Sequence, residues 1–511
     1  MDHLPLPLGI LDTYRHKDPH LRIYPDHVIE TSARHARHTA SLWLHPRRQP
    51  HKRLPREDKG VILLGLHLLR EQWLLVVYAE GAAYLYDTEA GGHSKLNRGR
   101  LGRSGPLLRA SLTVEATIWA SHAVSFDQAK HRLFVSFSRS HAPYFVQLYE
   151  VDILSLSQKS IIIPNAFALL RTISSPSNRI VRTLDATSQL LVTSNSNLVE
   201  IVKWDDNVDG LRRFIIQVRP EDLEDLWNGV VSAQFMGPYI LIFKTRSLEL
   251  HEYTPFSDDA ESSDELMSSS PMTLKESFAM TFRDVSFSHC SVTHNVATDT
   301  DVYETSLLAY DVIHGLFQYD VTLTVPTSAL PPVLDVQLKG VYPLALGASN
   351  LFIPAPPRVE PLTTPFLITY SSNFSPSPTP LSVSTQFLRN THGSGVSTPT
   401  PLTQFAAESA SRGFVSAHRM GPQGKRAVWI ERKRSSTARE VQVWSREPPS
   451  ATGNMSEVSG KPLAMEIERR VVFSLHSYDL RDDITSCAFG ELNGNIFLGH
   501  RSGDVSVLPL S

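Results

Sequence analysis

The sequence predicts an all-β protein built as a seven-bladed β-propeller, preceded by a short N-terminal helix. Short runs of alternating apolar residues, separated by turn residues, recur at intervals of about 40 to 60 residues. The first and last of these units also share one order of strands and turns. A twisted four-stranded sheet hides both faces only by packing against the next sheet around a ring. A pair of facing β-sandwiches is the alternative arrangement.

Seven units of three strands account for most of the apolar runs. The clearest unit is the first, with strands predicted at 61–68, 73–78 and 83–86. The other units are predicted at 118–126, 133–137 and 145–151; 180–184, 190–193 and 198–204; 230–235, 239–243 and 248–253; 285–292, 307–310 and 316–319; 413–418, 426–430 and 441–444; and 484–489, 496–499 and 505–508. Runs between units supply fourth strands at 107–114, 160–163, 214–218, 333–338 and 471–475.

The last unit has no apolar run after it that would complete its sheet. An open sheet edge promotes aggregation, and closed rings avoid one. We therefore expect a segment within about residues 46–56 to pair with the last sheet.

Four regions are predicted along the chain: a poorly ordered N-terminus (1–25), an amphipathic helix (26–45), a basic linker that includes the closing strand (46–60) and the propeller (61–511). In the helix, apolar residues from Val28 to Trp43 recur at helical spacing, and we expect this stripe to dock on a domain. Three insertions, at 257–271, 363–404 and 447–460, have compositions typical of disordered loops.

The overall composition limits the class of protein. Hydrophobic residues make up 41% of the 511 residues and charged residues 20%, as in soluble globular proteins. The net charge of −3 provides no overall attraction to nucleic acid or to an anionic membrane. No apolar run approaches the roughly 20 residues of a membrane helix, and the N-terminus lacks the basic region of a secretory signal. We expect an intracellular monomer, cytoplasmic or nuclear, without nucleic-acid or membrane partners.

The N-terminal part of the chain resembles a known family. A helix containing His35-Ala36-Arg37-His38 and ending near Trp43 is followed by the basic Pro46-Arg47-Arg48 and by a first blade ending at Asp87. These elements resemble the fungal F-box proteins with a C-terminal WD-repeat-like β-propeller, and 499–507 looks like a later blade of such a protein. The resemblance implies the substrate-receptor subunit of a cullin-type ubiquitin ligase. Of the F-box itself only Leu4 to Leu11 has a counterpart, so a Skp-type adaptor is expected only if a full F-box lies upstream.

The sequence carries no motif of an enzyme, a cofactor site or a metal site. Phosphate-binding loops, Gly-x-Ser-x-Gly and His-Glu-x-x-His are all missing. The N-terminal histidines, including His35, His38, His45 and His51, lack the companion carboxylate of a zinc site and are predicted to be solvated. Cys290 and Cys487 are predicted to be buried and reduced.

These observations favour a protein-interaction scaffold that binds a protein ligand or substrate. Two alternatives stay open: a propeller scaffold without a ubiquitin role, and an enzyme with a site around the central channel. The enzyme would need inward-facing His, Asp or Glu at several strand starts, whereas most first strands show Val, Ile, Ser, Thr and Phe there.

Ser-Pro and Thr-Pro steps cluster in the second insertion and are predicted sites of proline-directed phosphorylation, at Ser375, Ser377, Thr379, Thr398 and Thr400. Each phosphate would add roughly −1.5 to −2 charges and create a docking site. An unmodified linker is the alternative.

Overall fold

A computed structural model describes most of the predicted propeller and a small part of the N-terminal region. The described residues are 34, 38–39, 41–43, 52–54, 62–88, 106–158, 163–164, 166–195, 198–204, 212–217, 228–253, 272–296, 298–327, 330–344, 413–433, 436–446, 465–467 and 470–510. The three predicted insertions lie outside these residues.

The described strands form seven sheets, which we call blades 1 to 7. Strands are numbered in chain order, starting with β1 (Lys52–Arg53). The first three blades contain β2 (Leu63–Leu69), β3 (Trp73–Tyr78), β4 (Ala82–Asp87) and β5 (Leu107–Thr113); β6 (Trp119–Asp127), β7 (Arg132–Arg139), β8 (Phe145–Asp152) and, after β9 (Ile163–Pro164), β10 (Ala168–Ser174); and β11 (Ile180–Asp185), β12 (Leu190–Asn195), β13 (Leu198–Lys203) and β14 (Arg212–Gln217).

The remaining four blades follow the same order from the inner strand to the outer one. They contain β15 (Val230–Met236), β16 (Tyr239–Lys244), β17 (Ser247–Glu252) and β18 (Met272–Ser277); β19 (Phe282–Phe287), β20 (Ser291–Asn295), β21 (Thr300–Asp311), β22 (Gly315–Pro326) and β23 (Val333–Pro343); β24 (Gly413–Met420), β25 (Arg426–Lys433), β26 (Ala438–Ser445) and, after β27 (Met465–Glu466), β28 (Arg470–His476); and β29 (Ile484–Phe489), β30 (Asn495–His500) and β31 (Val505–Pro509).

Seven hydrophobic clusters join the blades into a ring. Each cluster takes its residues from two neighbouring blades, and the seven clusters cover the seven pairs, including blades 7 and 1. Central strands such as β3 and β16 are buried along their whole length because neighbouring blades cover both of their faces. This arrangement confirms the predicted seven-bladed β-propeller and excludes two facing sandwiches.

The two ends of the chain meet in blade 7. Lys52 and Arg53 pair in antiparallel fashion with Val507 and Ser506, so β1 is the fourth strand of the blade that β29 to β31 begin. This strand lies inside the segment 46–56 for which pairing was expected. Ring closure therefore depends on contacts between residues about 450 positions apart in sequence.

Two sequence-based strand predictions are wrong. The run 160–163 was expected to be the fourth strand of blade 2, but β10 holds that place, and β9 pairs in parallel with β5 of blade 1. A single strand over 285–292 was also expected, but β19 ends at Phe287 and β20 forms separately. Both errors arise because an apolar run does not show which edge it pairs with.

The N-terminal region contacts the ring through Trp43. The described residues 34, 38–39 and 41–43 are helical, and Trp43 is completely buried between blades 6 and 7. Its indole N–H donates to the carbonyl of Glu491 at 3.2 Å, and its ring meets Phe489 edge-on. Where it is described, the apolar side of this helix is thus docked on the propeller. Among the described residues, no helix combines the length and apolar character needed to cross a membrane.

Candidate protein-binding face

The ring has two ends that differ in structure. We call the end at which the inner strands (β2, β6, β11, β15, β19, β24 and β29) begin the front face, and the end at which they finish the rear face. Because the strands of a blade alternate in direction, the front face also carries the connections between second and third strands. Loops at the end of such a scaffold are where binding residues concentrate.

Every inner strand is interrupted by a register shift at the same position, next to the front face. The shift leaves one residue without a direct partner on the second strand, as in a β-bulge. The seven bulged residues, which we call the bulge ring, are Leu64, Ala120, Arg182, Val231, Arg283, Ser416 and Thr485. Bulges re-aim side chains, and five members of the bulge ring line the two cavities described next.

The first cavity lies between blades 3, 4 and 5 and has a volume of about 520 Å³. Arg182, Arg283 and Asp284 provide its charged groups. The Arg182 guanidinium donates to the carbonyls of Val230 and Val231 at 2.6 and 2.7 Å, and burial lowers its pKa to about 10. Arg283 and Asp284 are exposed. This cavity therefore presents charge to the solvent.

The second cavity has the same volume of about 520 Å³ but lies between blades 6, 7 and 1. Its walls are mostly apolar and include Ile62, Leu63, Phe414 and Val415. Arg432, Asp483 and Arg501 provide its charged groups, and the Asp483 carboxylate accepts hydrogen bonds from Arg432 at 3.1 Å and from buried Arg439 at 2.5 Å. This cavity suits an apolar side chain.

Exposed apolar side chains also lie on the front-face connections, and one of them, Ile62, lines the second cavity. These are Ile62 (62% exposed), Ile118 (51%), Ile313 (71%), Tyr478 (94%) and Leu480 (52%). Such residues are ordinary when scattered, but several of them on the face that also carries open cavities are typical of an interaction site.

Deeper in the channel, a string of hydrogen bonds crosses between blades 6, 1 and 2. Arg419 Nη2 lies 3.3 Å from His67 Nδ1, and His67 Nε2 lies 2.6 Å from His122 Nε2. An arginine only donates, so His67 accepts at Nδ1, donates from Nε2, and leaves His122 as the acceptor. Gly65 makes room for this pair, since a Cβ there would lie 2.5 Å from His122 Cε1.

Burial and neighbouring positive charge keep both imidazoles of the string neutral. Burial, followed by the His122 and Arg419 charges, lowers the pKa of His67 well below its usual value. Burial and then Arg419 lower the pKa of His122 to about 4. Protonation of either ring would place two donors face to face, so the string exists only in the neutral form.

The channel thus carries titratable groups that the sequence analysis missed. His67, His122, His418 and Asp284 all lie on inner strands. The sequence analysis considered the starts of the first strands, whereas His67, His122 and His418 lie farther along theirs. Polar residues inside otherwise apolar first strands were the available signal, but only the ring shows that they meet.

The described residues do not assemble a nucleophile or a metal centre from these groups. Burial raises the pKa of Cys487 to about 12 and that of half-buried Cys290 to about 11, so both thiols stay protonated at neutral pH. No group of three or more His, Cys, Asp and Glu side chains in the described part of the chain is arranged to hold a metal ion. His38 is exposed, while His35, His45 and His51 lie outside the described residues.

The predicted phosphorylation sites Ser375, Ser377, Thr379, Thr398 and Thr400 also lie outside the described residues. Their modification stays a prediction. The segment that contains them leaves blade 5 after Leu344 and enters blade 6 at Gly413, both on the front face.

Comparisons with known proteins find similarity in fold only. No protein family matches the sequence, and neither does any curated protein. Among solved structures, the chain is similar to the β-propeller domain of Cps50 (Swd1) from Myceliophthora thermophila, with 9% identity, 90% of this chain and 100% of that chain covered, and a TM-score of 0.45. It is also similar to the WD40 β-propeller domain of Doa1, with 10% identity, coverage of 91% and 98%, and a TM-score of 0.39.

Proposed function

We propose that this chain is a protein-interaction scaffold that binds another protein through its front face. One observation carries the proposal: the front face combines two open cavities of different chemistry with a rim of exposed apolar side chains. A protein partner can place an apolar side chain in the second cavity and a polar group near Arg283 in the first. Interfaces of this kind pair an apolar centre with charged groups at the rim.

Affinity capture with quantitative mass spectrometry tests the proposal. The front-face variant Ile313→Ser/Tyr478→Ser removes two of the most exposed apolar side chains of the rim. Its control is Leu107→Ser/Leu169→Ser, which alters two exposed residues (42% and 51%) in the fourth strands of blades 1 and 2, at the end away from the front face. Partners are expected to be lost from the front-face variant and kept by the control. Equal recovery with both variants, each shown to be folded, contradicts the proposal.

We further propose that the bound protein is a substrate for ubiquitylation, on the basis of the resemblance of residues 26–90. In that role the propeller binds the substrate, while a full F-box ahead of the helix recruits the Skp-type adaptor. Sequencing the 5′ end of the transcript and purifying the protein from its native host test this role. Cullin and adaptor subunits among the captured proteins support it. Other stable partners without them support a propeller scaffold that has no ubiquitin role.

A further inference from the structure

Blade 5 extends beyond the rear face of the ring. Its second and third strands, β21 and β22, have 12 residues each, whereas the equivalent strands of other blades have five to eight. The additional residues add about 14 to 24 Å at roughly 3.4 Å per residue. They lie at the rear, because β19 pairs only with Leu307–Asp311 of β21 and β20 pairs with Thr300–Glu304 beyond it. We call residues 291–305 and 320–334 the blade 5 extension.

The extension is held against the ring. Tyr303 of β21 lies on the turn of blade 4 at Gly237, where a Cβ would come within 2.4 Å of the phenol oxygen. Gln234 of blade 4 donates to the carbonyl of Ser288 at 2.8 Å, and the hydroxyl of Thr305 donates back to Gln234 at 3.1 Å. These contacts hold β20 and β21 in a defined position.

Strand β20 is an exposed sheet edge. In the described part of the protein, β21 is the strand that pairs with β20, and no strand covers its other side. Side chains on both of its faces are exposed, including Val292 (52%), Thr293 and His294. The strand contains no proline, no lysine and no register shift, which are the usual features that prevent an edge from pairing.

The surroundings of this edge carry negative charge. Residues 291–305 include no Lys or Arg and three carboxylates, at Asp299, Asp301 and Glu304. The side chains of Asp299 and Asp301 are 70% and 45% exposed, and Glu304 is exposed as well. His294 lies 2.9 Å from Asp301 and thus belongs to the same cluster.

We propose that β20 binds an extended basic segment of another protein, which joins blade 5 as an additional strand. Backbone N–H and C=O groups of Val292 to His294 that point away from β21 provide hydrogen bonds that do not depend on sequence. Lys or Arg side chains of the added strand lie near Asp299, Asp301 and Glu304, which selects a basic segment over an acidic one. This site is on the opposite end of the ring from the front face, so its failure leaves the proposed function standing.

Fluorescence anisotropy with a labelled octapeptide of alternating Lys and Val tests the inference on the full chain. Two control peptides separate the contribution of charge from that of backbone hydrogen bonds. An octapeptide of alternating Glu and Val removes the charge attraction. A Lys-Val octapeptide with methylated backbone amides at alternate residues cannot donate hydrogen bonds along one edge. Binding of the Lys-Val peptide at least about tenfold tighter than either control is expected. Equal binding of the methylated peptide, or no binding of the Lys-Val peptide, overturns the proposal.

Two variants locate the binding on the protein. Asp299→Lys/Glu304→Lys reverses two exposed charges and is expected to weaken binding about tenfold, whereas Glu115→Lys, an exposed charge reversal on the front face, leaves it unchanged. Thr293→Pro removes the ability of β20 to pair and is expected to abolish binding. If sedimentation shows instead a dimer that Thr293→Pro dissociates, the edge pairs with a second copy of this chain and the basic-partner proposal is overturned.

Discussion

The contacts at the closing seam differ in kind from those at the centre of the interface between blades 4 and 5. At the closing seam, formed by blades 6, 7 and 1 with the N-terminal helix, buried carboxylates accept hydrogen bonds from backbone N–H groups of the neighbouring blade. Glu71 of blade 1 accepts from the backbone N–H groups of residues 491 to 493, and Glu491 accepts from those of Gln423 and Arg426. Arg426 lies over the Trp43 ring at 5.2 Å.

Between blades 4 and 5, by contrast, aromatic rings do the packing. Phe243, Phe278, Phe282, Phe317 and Tyr319 contact one another at centroid distances from 5.3 to 6.3 Å. The buried carboxyl group of Glu276 has no hydrogen-bond partner among the described residues of this interface. Apolar packing is non-directional, whereas hydrogen bonds fix an orientation. Hydrogen bonds such as that from Gln234 to Ser288 also join blades 4 and 5, so the difference lies in the buried carboxyl groups. Those of Glu71 and Glu491 accept bonds that fix the register of the seam, whereas that of Glu276 has no such partner among the described residues.

Removing a buried charge at the seam should have the largest effect on the free energy of unfolding. Arg439 is 2% exposed and its guanidinium donates to Asp483 and to the carbonyls of Thr437, Ser477 and Asp479. Arg439→Met leaves these acceptors without their donor and is expected to lower the free energy of unfolding by about 3 to 5 kcal/mol. Urea unfolding measures this change. The exposed Arg481→Met is the control, expected to stay within about 0.5 kcal/mol of the parent. If both variants change the free energy of unfolding equally, the buried charge at the seam does not stabilise the fold as proposed.

Replacing a buried glutamate by glutamine should change the stability of the protein in opposite directions in the two regions. Burial raises the pKa of Glu491 to about 7, as it does for Glu276, but both oxygens of Glu491 accept hydrogen bonds from backbone N–H groups. Glu491→Gln places an amide N–H₂ against one of these donors and is expected to cost about 1 to 3 kcal/mol. Burial raises the pKa of Glu276 to about 7, so this carboxyl destabilises the fold increasingly as pH rises from about 4.5 to 7 and remains costly above that. Glu276→Gln is expected to stabilise the protein by about 1 to 3 kcal/mol at pH 8. Thermal unfolding of both variants at pH 8 measures these changes. A shift of Tm in the same direction for both variants contradicts the difference between the two regions.

The effect of the string that links blades 1, 2 and 6 on stability is expected at acidic pH. The pKa of His122 is about 4 in the folded protein and about 6.5 when unfolded. The unfolded state therefore takes up a proton first as pH falls, and stability decreases between about pH 6.5 and pH 4. His122→Asn should flatten the decrease of Tm over this range, while the exposed His476→Asn leaves it as in the parent. If the Tm of the parent and that of the His122→Asn variant depend on pH in the same way, the string does not control the pH dependence of stability.

Sequence reasoning located the strands of the three-stranded units because their signal is local. The continuous apolar runs of β3 and β16 and the turn glycines Gly81 and Gly503 are visible in windows of a few residues. The extra strand β20 and the parallel strand β9 were missed, because their pairing depends on which edge lies nearby. The bulge ring was missed for a related reason: its seven members share a position but not a residue type.

The amino-acid sequence alone determined the number of blades, most strand positions and the region from which the closing strand comes. Those features follow from apolar periodicity and turn residues, which act over short stretches of chain. Only the tertiary structure decided that Arg419 reaches His67, that Trp43 fills the seam and that the two cavities open on one face. These contacts join residues that are hundreds of positions apart or on different blades, and closing the ring is what brings them together.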